Sequence, residues 1–315
     1  MKFIIVGGIA AGMSAAAKLR RVDKEAEITV YEKQNYVSFG ACELPYYVGG
    51  FFDNHEQMLV RTPEQFRQSG INIQTAHEVI HVDVEAQKVQ VKNLATGEIF
   101  EDYYDKMMIA TGASAIVPPI QNLEIENVHT MRSLEDGHIL KEKLQKEEIK
   151  TVGIIGAGFI GLEAVEAAKK CGKEVAVFQL EERVLKEVFD EEITVYLEDE
   201  LKAHGVKLYT NTKVVALKGE KAVTHIVTDK EEVQADLVIL ATGVRPSTAF
   251  LKDTGIEMLG NGAIIVNHEG KTSVSNIYAA GDCATVPHLL KKEPAYIPLA
   301  TSANKLGRIV GENLG

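Results

Sequence analysis

Cys42, in the run Ser38-Phe39-Gly40-Ala41-Cys42-Glu43-Leu44-Pro45-Tyr46-Tyr47, is the residue whose setting points to chemistry. An isolated cysteine is ordinarily a small buried hydrophobe. This one comes ten residues after Glu32, an acid closing an apolar run, and three residues before Pro45. Proline is tolerated in the first turn of a helix, where its missing N–H is no loss. Cys42 is therefore predicted at or just before a helix N-terminus, a position that favours a thiolate. The helix end alone is too weak. Lowering a thiol from about 8.5 to about 5.5 corresponds to roughly 4 kcal/mol, whereas a helix end contributes about 0.3–1 kcal/mol and about 2 at most. Glu43 opposes the anion. A second group must stabilise it.

The elements that would position such a group begin at the N-terminus. Lys2 to Val6 reads as a buried parallel strand. Gly7, Gly8, Ile9, Ala10, Ala11 and Gly12 follow, then a helix of small residues over Met13 to Arg21, then a strand over Ile28 to Tyr31 ending at Glu32. This is a dinucleotide-binding βαβ unit. Gly7 permits the tight turn, Gly12 lets helix and strand pack closely, the helix N-terminus faces a pyrophosphate, and Glu32 accepts from ribose hydroxyls. Ile9 stands where the middle glycine of GxGxxG is expected, with Gly8 one position earlier. A second copy is complete: strand Thr151 to Ile155, then Gly156-Ala157-Gly158-Phe159-Ile160-Gly161, a helix from Leu162 to about Cys171, and strand Glu174 to Phe178. The candidate for the second group that holds the thiolate is an oxidised flavin ring, in a charge-transfer contact with the sulfur. Cys42 then reads as a thiol that exchanges electrons with a flavin and attacks a sulfur substrate.

The two halves repeat in outline, which implies two similar nucleotide-binding domains. Helix Pro63 to Gly70 with strand Ile71 to Gln74 matches helix Glu191 to Gly205 with strand Val206 to Tyr209. Short alternating strands follow in each: Val79 to Val84, Val89 to Lys92 and Ile99 to Tyr103, then Lys213 to Leu217, Ala222 to Val227 and Glu232 to Gln234. Each half closes on an apolar strand running into Ala110-Thr111-Gly112 or Ala241-Thr242-Gly243. A third piece adds a strand Ile264 to Val266, an apolar strand ending in Gly281-Asp282, and a last helix from about Leu299 to Asn313. The aspartate falls at a strand's carboxyl end, the ligand side of an open α/β sheet. The small first turn of the last helix, Ala300, Ser302 and Ala303, lets backbone approach a ligand.

Composition narrows the classes. A length of 315 residues fits two domains, and 45% hydrophobic with 25% charged content is ordinary for a globular chain. A net charge of −11 argues against nucleic-acid or anionic-membrane partners. No apolar run approaches the roughly 20 residues of a membrane span. Cysteines at 42, 171 and 283 show neither CxxC nor zinc-ligand spacing, so no metal site and a reducing cytoplasm are expected. Cys171 and Cys283 read as packing residues. No histidine, His81 and His225 included, has a spacing that names a base.

The motif order, from the first glycine turn through Glu32, SFxxCxLPY, ATG, GxGxxG and ATG to AAGD, resembles the single-cysteine branch of the flavoprotein pyridine nucleotide-disulfide oxidoreductases. Within it the chain resembles coenzyme A-disulfide reductases and related persulfide or polysulfide reductases, over essentially its whole length. The resemblance implies an α/β fold of two Rossmann-like three-layer domains, each with an added antiparallel β-meander. Residues 1–112 with 245–315 would bind FAD, and residues 113–244 would bind NAD(P)H. It implies cofactor contacts at Gly7, Gly8, Ala11, Gly12, Glu32, Lys33, Ser38, Ala110, Thr111, Gly112, Gly281, Asp282, Leu299 and Ala300, with Asp282 on the ribityl chain. Gly156, Gly158, Phe159, Ile160, Gly161, Glu163 and Gly243 complete the set, Phe159 and Glu163 near the flavin–nicotinamide contact.

The same resemblance bears on activity. NADH oxidases and peroxidases of the branch carry a histidine in the first glycine turn, where Ala10 stands, and lack the Leu44-Pro45-Tyr46 pattern. Both features lean toward reduction of a low-molecular-weight disulfide, persulfide or polysulfide through Cys42. The rivals are an NAD(P)H oxidase with a cysteine sulfenic acid and a low-turnover redox-responsive flavoprotein. Three departures stand out. Ala41 occupies a position that is asparagine in coenzyme A-disulfide reductases. Relatives continue past the last helix into a dimerisation domain, whereas this chain stops at Gly315, so a homodimer is expected of full-length relatives and left open here. Gln179 replaces the acid at the end of the second domain's second strand, with Glu181, Glu182 and Arg183 beyond it; the balance leans to NADH.

Overall fold

Phe3 to Val6 can form a central strand because apolar residues on both faces suit a sheet covered by helices on each side; none of the four exceeds 4% exposure. In the computed structural model, which describes residues 1–315, this strand and its second-half counterpart organise two five-stranded parallel sheets. Seven α-helices accompany them: α1 (Ala10–Val22), α2 (Leu44–Val48), α3 (Pro63–Gln68), α4 (Leu134–Gln145), α5 (Phe159–Lys170), α6 (Glu191–Ala203) and α7 (Ala300–Leu314). The chain divides into two compact units. One comprises Met1–Gly40, Gln57–Ser114 and Arg245–Gly315; the other, Ala41–Glu56 and Ala115–Val244.

In the first unit the sheet order is Ile277–Ala279, Lys106–Ile109, Lys2–Val6, Glu27–Tyr31, Asn72–Gln74. A three-stranded antiparallel sheet, His77–Asp83, Lys88–Asn93 and Ile99–Tyr103, accompanies it. Helices α1 and α7 pack so closely that a Cβ on Gly307 would lie 2.5 Å from the Ala11 carbonyl oxygen, and one on Gly311 2.4 Å from that of Ala15.

The second unit repeats the plan: Val128–Thr130, Leu237–Leu240, Thr151–Ile155, Glu174–Phe178, Lys207–Tyr209, with Val214–Lys218, His225–Thr228 and Glu232–Gln234 as its antiparallel sheet. Each unit has its own apolar core, around Ile5, Val30 and Met108 in one and around Phe178, Ile226 and Val238 in the other. This is the α/β, FAD/NAD(P)-binding architecture expected from the sequence.

Two details depart from expectation. Ile264–Val266 is not a strand but a pair of single-residue bridges, Ile264 with Met258 and with Ala284. Its N–H groups are divided among different partners: Ile264 donates to Cys283, Ile265 to Glu257, and Val266 to the Thr285 hydroxyl, which takes the place of a ladder carbonyl. Also, Ala41–Glu56 packs with the central residues rather than with the N-terminal ones.

Candidate active site

Strand register decides which residues meet at the ligand edge. In the first unit Val6 pairs with both Tyr31 and Ile109, and Ile109 with Ala279. Gly7, Glu32, Ala110 and the run Ala280-Gly281-Asp282 therefore leave the sheet along one carboxyl edge, on both sides of the strand-order reversal where such sheets bind ligands. Gly7 has φ +104, and a Cβ there would fall 2.2 Å from the Ala110 carbonyl oxygen; on Gly12 it would fall 1.9 Å from the Gly7 carbonyl oxygen. A Cβ on Gly281 would lie 3.1 Å from that of Ala11 and 3.8 Å from that of Ala303, so the first turns of α1 and α7 meet at Gly281.

Glu32 is buried, and its two oxygens accept from the N–H groups of Gly8 (2.7 Å) and Gln34 (2.9 Å). Burial raises its carboxyl above the usual range. The Thr111 hydroxyl is buried without a hydrogen-bond partner. Ser38 has φ +55, in the left-handed region that side chains disfavour, and donates its N–H to the Gly8 carbonyl at 2.8 Å. Gly112 accepts from the Ser247 N–H, and the Asp282 carbonyl from the Tyr296 hydroxyl at 3.1 Å. Lys33 is exposed; so are Leu299 and Ala300, which begin α7.

The second unit reproduces this geometry. Ile155 pairs with Phe178 and Leu240. A Cβ on Gly156 would fall 2.3 Å from the Ala241 carbonyl oxygen, and one on Gly161 2.0 Å from that of Gly156. The Ala of each Ala-Thr-Gly thus backs the first glycine of each turn. Gly158 differs: no atom lies within 4 Å of a Cβ there. Gln179 accepts from the Ala157 N–H at 2.8 Å, as Glu32 does from Gly8. Phe159 is exposed and meets Phe189 edge-on at 6.1 Å, while burial raises the Glu163 carboxyl, aided by Glu166. Ile160 is half-buried beside it, and Gly243 has φ +99.

Two of the seven α-helices have side-chain caps and five do not. Thr62 and Ser133 close α3 and α4 with full capping boxes, whereas Ile9, Gly158 and Leu299 offer α1, α5 and α7 no side-chain cap. Glu43 and Asp190 make no cap hydrogen bond to α2 and α6 either, so a missing cap does not by itself mark a ligand site.

Cys42 is exposed on a 3₁₀ turn, Ala41–Glu43, that runs into α2 with Pro45 in its first turn. Cys171 is half-buried at the end of α5, its thiol raised by burial. Cys283 is fully buried, its thiol pushed up to about 11 by burial and lying 3.4 Å from the Ala280 carbonyl. By packing, Cys42 belongs to the unit of the second glycine turn, and Gly7, Glu32 and Asp282 to the other.

Sequence reasoning missed two groups of residues. His138, on α4, bonds the Tyr47 hydroxyl on α2 at 2.9 Å and meets His55 edge-on at 4.9 Å. Lys186 pairs with Glu181 (3.2 Å) and Glu182 (3.5 Å), while Arg183 donates to the Phe189 carbonyl. Nothing in the spacing of Tyr47 and His138, 91 residues apart, could have announced their contact; Lys186 four residues after Glu182 was readable only if that loop had been expected to coil.

The sequence pattern of the pyridine nucleotide-disulphide oxidoreductase family matches residues 1–304, and the chain belongs to that family. Members are FAD-bound and use NAD(P)H. The chain is 37% identical over 316 residues to an NADH oxidase of Enterococcus faecalis, spanning 100% of this chain and 70% of that protein. It is 37% identical over 314 residues to an NAD(P)H coenzyme A polysulfide/persulfide reductase of Pyrococcus horikoshii, spanning 99% and 69%. The water-forming NADH oxidase of Lactobacillus brevis, solved with NADH, superposes with a TM-score of 0.95 at 34% identity, covering 100% of this chain and 69% of that one. The residues present fit these cofactors: the unpartnered buried Thr111 hydroxyl and the Gly7–Gly12 turn suit a dinucleotide in the first unit, and the open space over Gly158 leaves room for one in the second.

Proposed function

We propose that this chain reduces a low-molecular-weight disulfide, persulfide or polysulfide with electrons from NAD(P)H, through Cys42 as its one redox thiol. The observation that carries this reading is the exposure of Cys42 on its turn, with Cys171 half-buried and Cys283 sealed in the core. The Cys42 thiolate attacks one sulfur of a disulfide, forming a mixed disulfide and expelling one thiolate. Two electrons, drawn from NAD(P)H, then cleave that bond, restoring Cys42 and releasing the second thiolate. Bound FAD would supply the two-electron relay between nicotinamide and sulfur. Gly7, Gly8, Ala11, Gly12, Glu32, Thr111, Gly281 and Asp282 would hold it. Gly156, Gly158, Gly161 and Gln179 would hold the nicotinamide cofactor.

Ala10 and the Leu44-Pro45-Tyr46 pattern support sulfur over oxygen as acceptor. NADH is favoured over NADPH. Glu181 and Glu182 outnumber Lys186, with which both pair, and Arg183 is engaged by a main-chain carbonyl. Both cations of this loop are thus already engaged, Lys186 by two carboxylates and Arg183 by a carbonyl, which leaves no unengaged cation for a 2′-phosphate. A second reading is kept by the NADH oxidase at equal identity: oxygen as acceptor, with Cys42 cycling through a sulfenic acid. Anaerobic titration of the flavin-loaded protein with NADH and with NADPH tests the scheme. Two reducing equivalents beyond those of the flavin, lost in Cys42→Ser together with thiol release from inorganic polysulfide or coenzyme A disulfide, are expected. Unchanged thiol release in Cys42→Ser, or NADH-dependent oxygen uptake in a parallel aerobic assay that neither sulfur substrate diminishes, would overturn it.

A further inference from the structure

The segment that carries Cys42 cannot set its own shape. Its one helix, α2, has five residues, far short of the length at which a helix is stable alone. It packs on α5, where a Cβ on Gly49 would lie 3.0 Å from Ala167 Cα, and on α4, through Gly137, His138 and Lys141. Gly137 lies flush against Leu44. Lys141, itself 9% exposed, sits 4.3 Å over the Tyr47 ring and donates to the Phe52 carbonyl (2.8 Å) and to Asp53 (2.9 Å). His138 Nδ1 lies 2.9 Å from the Tyr47 hydroxyl, its ring edge-on to Tyr47 at 5.6 Å and to His55 at 4.9 Å.

Resting on the reading of Cys42 above, we propose that His138 is a positioning residue for the redox thiol: its bond to Tyr47 seats α2 and thereby the turn from which Cys42 projects. Tyr47 is buried, so its hydroxyl needs a partner inside this contact. His138 is itself exposed, so its contribution comes from that hydrogen bond rather than from buried area. With its proton on Nε2, neutral His138 accepts from the Tyr47 hydroxyl at Nδ1. Protonated, it can only donate there, and it adds a cation beside Lys141 and His55, with Glu135 and Asp53 as the nearby acids. Burial lowers its titration below the ordinary histidine value, with His55 and Lys141 acting in the same direction and Glu135 against them. The seat is therefore firm at neutral pH and loosens on acidification.

The test uses flavin-loaded protein and three readings: alkylation of Cys42 by iodoacetamide across pH 5–8, quantified by mass spectrometry; turnover with inorganic polysulfide; and flavin reduction by NADH. Tyr47→Phe and His138→Ala are each expected to slow polysulfide turnover about tenfold, the scale of a sub-ångström misplacement. The double variant is expected to be no slower than either single one. Flavin reduction should change less than twofold. His138→Asn, whose amide can meet the hydroxyl without titrating, should recover most of the rate. The ratio of parent to His138→Asn alkylation rates should be near one at pH 8 and fall below pH 6, a comparison that cancels the thiol's own titration. A pH-independent ratio, or variants that lower only the melting temperature, would overturn the positioning role. Polysulfide turnover retained in Cys42→Ser would overturn the reading of Cys42 and this role with it; turnover lost there but indifferent to His138 would overturn this role alone.

Discussion

Gly137→Ala sets two effects of opposite sign against each other at one position. Alanine in the interior of α4 gains about 1 kcal/mol over glycine in helix propensity. Its Cβ, however, would lie 2.4 Å from Leu44 Cδ1 and 3.4 Å from Cγ, where carbon atoms prefer about 3.5–4.0 Å. Leu44 is 2% exposed and cannot swing into solvent. Overpacking of this kind costs about 1–3 kcal/mol, so the substitution is expected to destabilise by about 0–2 kcal/mol net. In a protein of this size that is a fall in melting temperature of at most about 3 °C. The overlap of somewhat over 1 Å must be relieved by moving α2 away from α4, which displaces the turn carrying Cys42. A misplacement of about 1 Å near the chemistry costs up to about 10²-fold, so polysulfide turnover should fall tenfold or more while NADH still reduces the flavin. Differential scanning fluorimetry and stopped-flow reduction read the two halves. Leu44→Ala opens the space the new Cβ needs, so Gly137→Ala is expected to stabilise the Leu44→Ala background even though it destabilises the parent. A raised melting temperature with unchanged turnover in the parent background would refute the reasoning.

Two further outcomes follow from the glycine turns. Gly158→Ala meets no atom within 4 Å, so it should fold within about 1 kcal/mol of the parent, the scale of a changed helix cap. Yet in the nicotinamide site proposed above its methyl group would project toward the pyrophosphate, and the KM for NADH in steady-state assays is expected to rise at least tenfold. Glu32→Gln should keep the Gly8 contact, as Gln179 keeps that of Ala157, but lose the acceptor for the Gln34 N–H, and flavin retained after gel filtration is expected to drop. Because burial raises the folded-state value of Glu32, its contribution to stability is present below the unfolded value, 4.5, and is lost as pH rises through the folded one. Urea unfolding of flavin-stripped protein should therefore show Glu32→Gln gaining stability relative to the parent between pH 4.5 and 8.

The sequence by itself determined the two glycine turns, the parallel strands that feed them, the repeat and the setting of Cys42. Each rests on short-range physics. A glycine turn needs its glycines within six residues, a buried parallel strand is a continuous apolar run, and a proline fixes where a helix begins. The tertiary structure alone decided what depends on partners distant in the chain. Register, not spacing, aligned Gly7, Glu32, Ala110 and Gly281 on one edge. The apolar run Ile264–Val266 had strand character locally, but the Thr285 hydroxyl took a ladder position and divided its pairing. Tyr47 and His138 meet only because α2 packs on α4, and the assignment of Ala41–Glu56 to the central unit follows from the same packing. A hydrogen bond between residues 91 apart leaves no periodic trace, since side-chain pairing across elements is set by where the backbones cross and not by the residues between them.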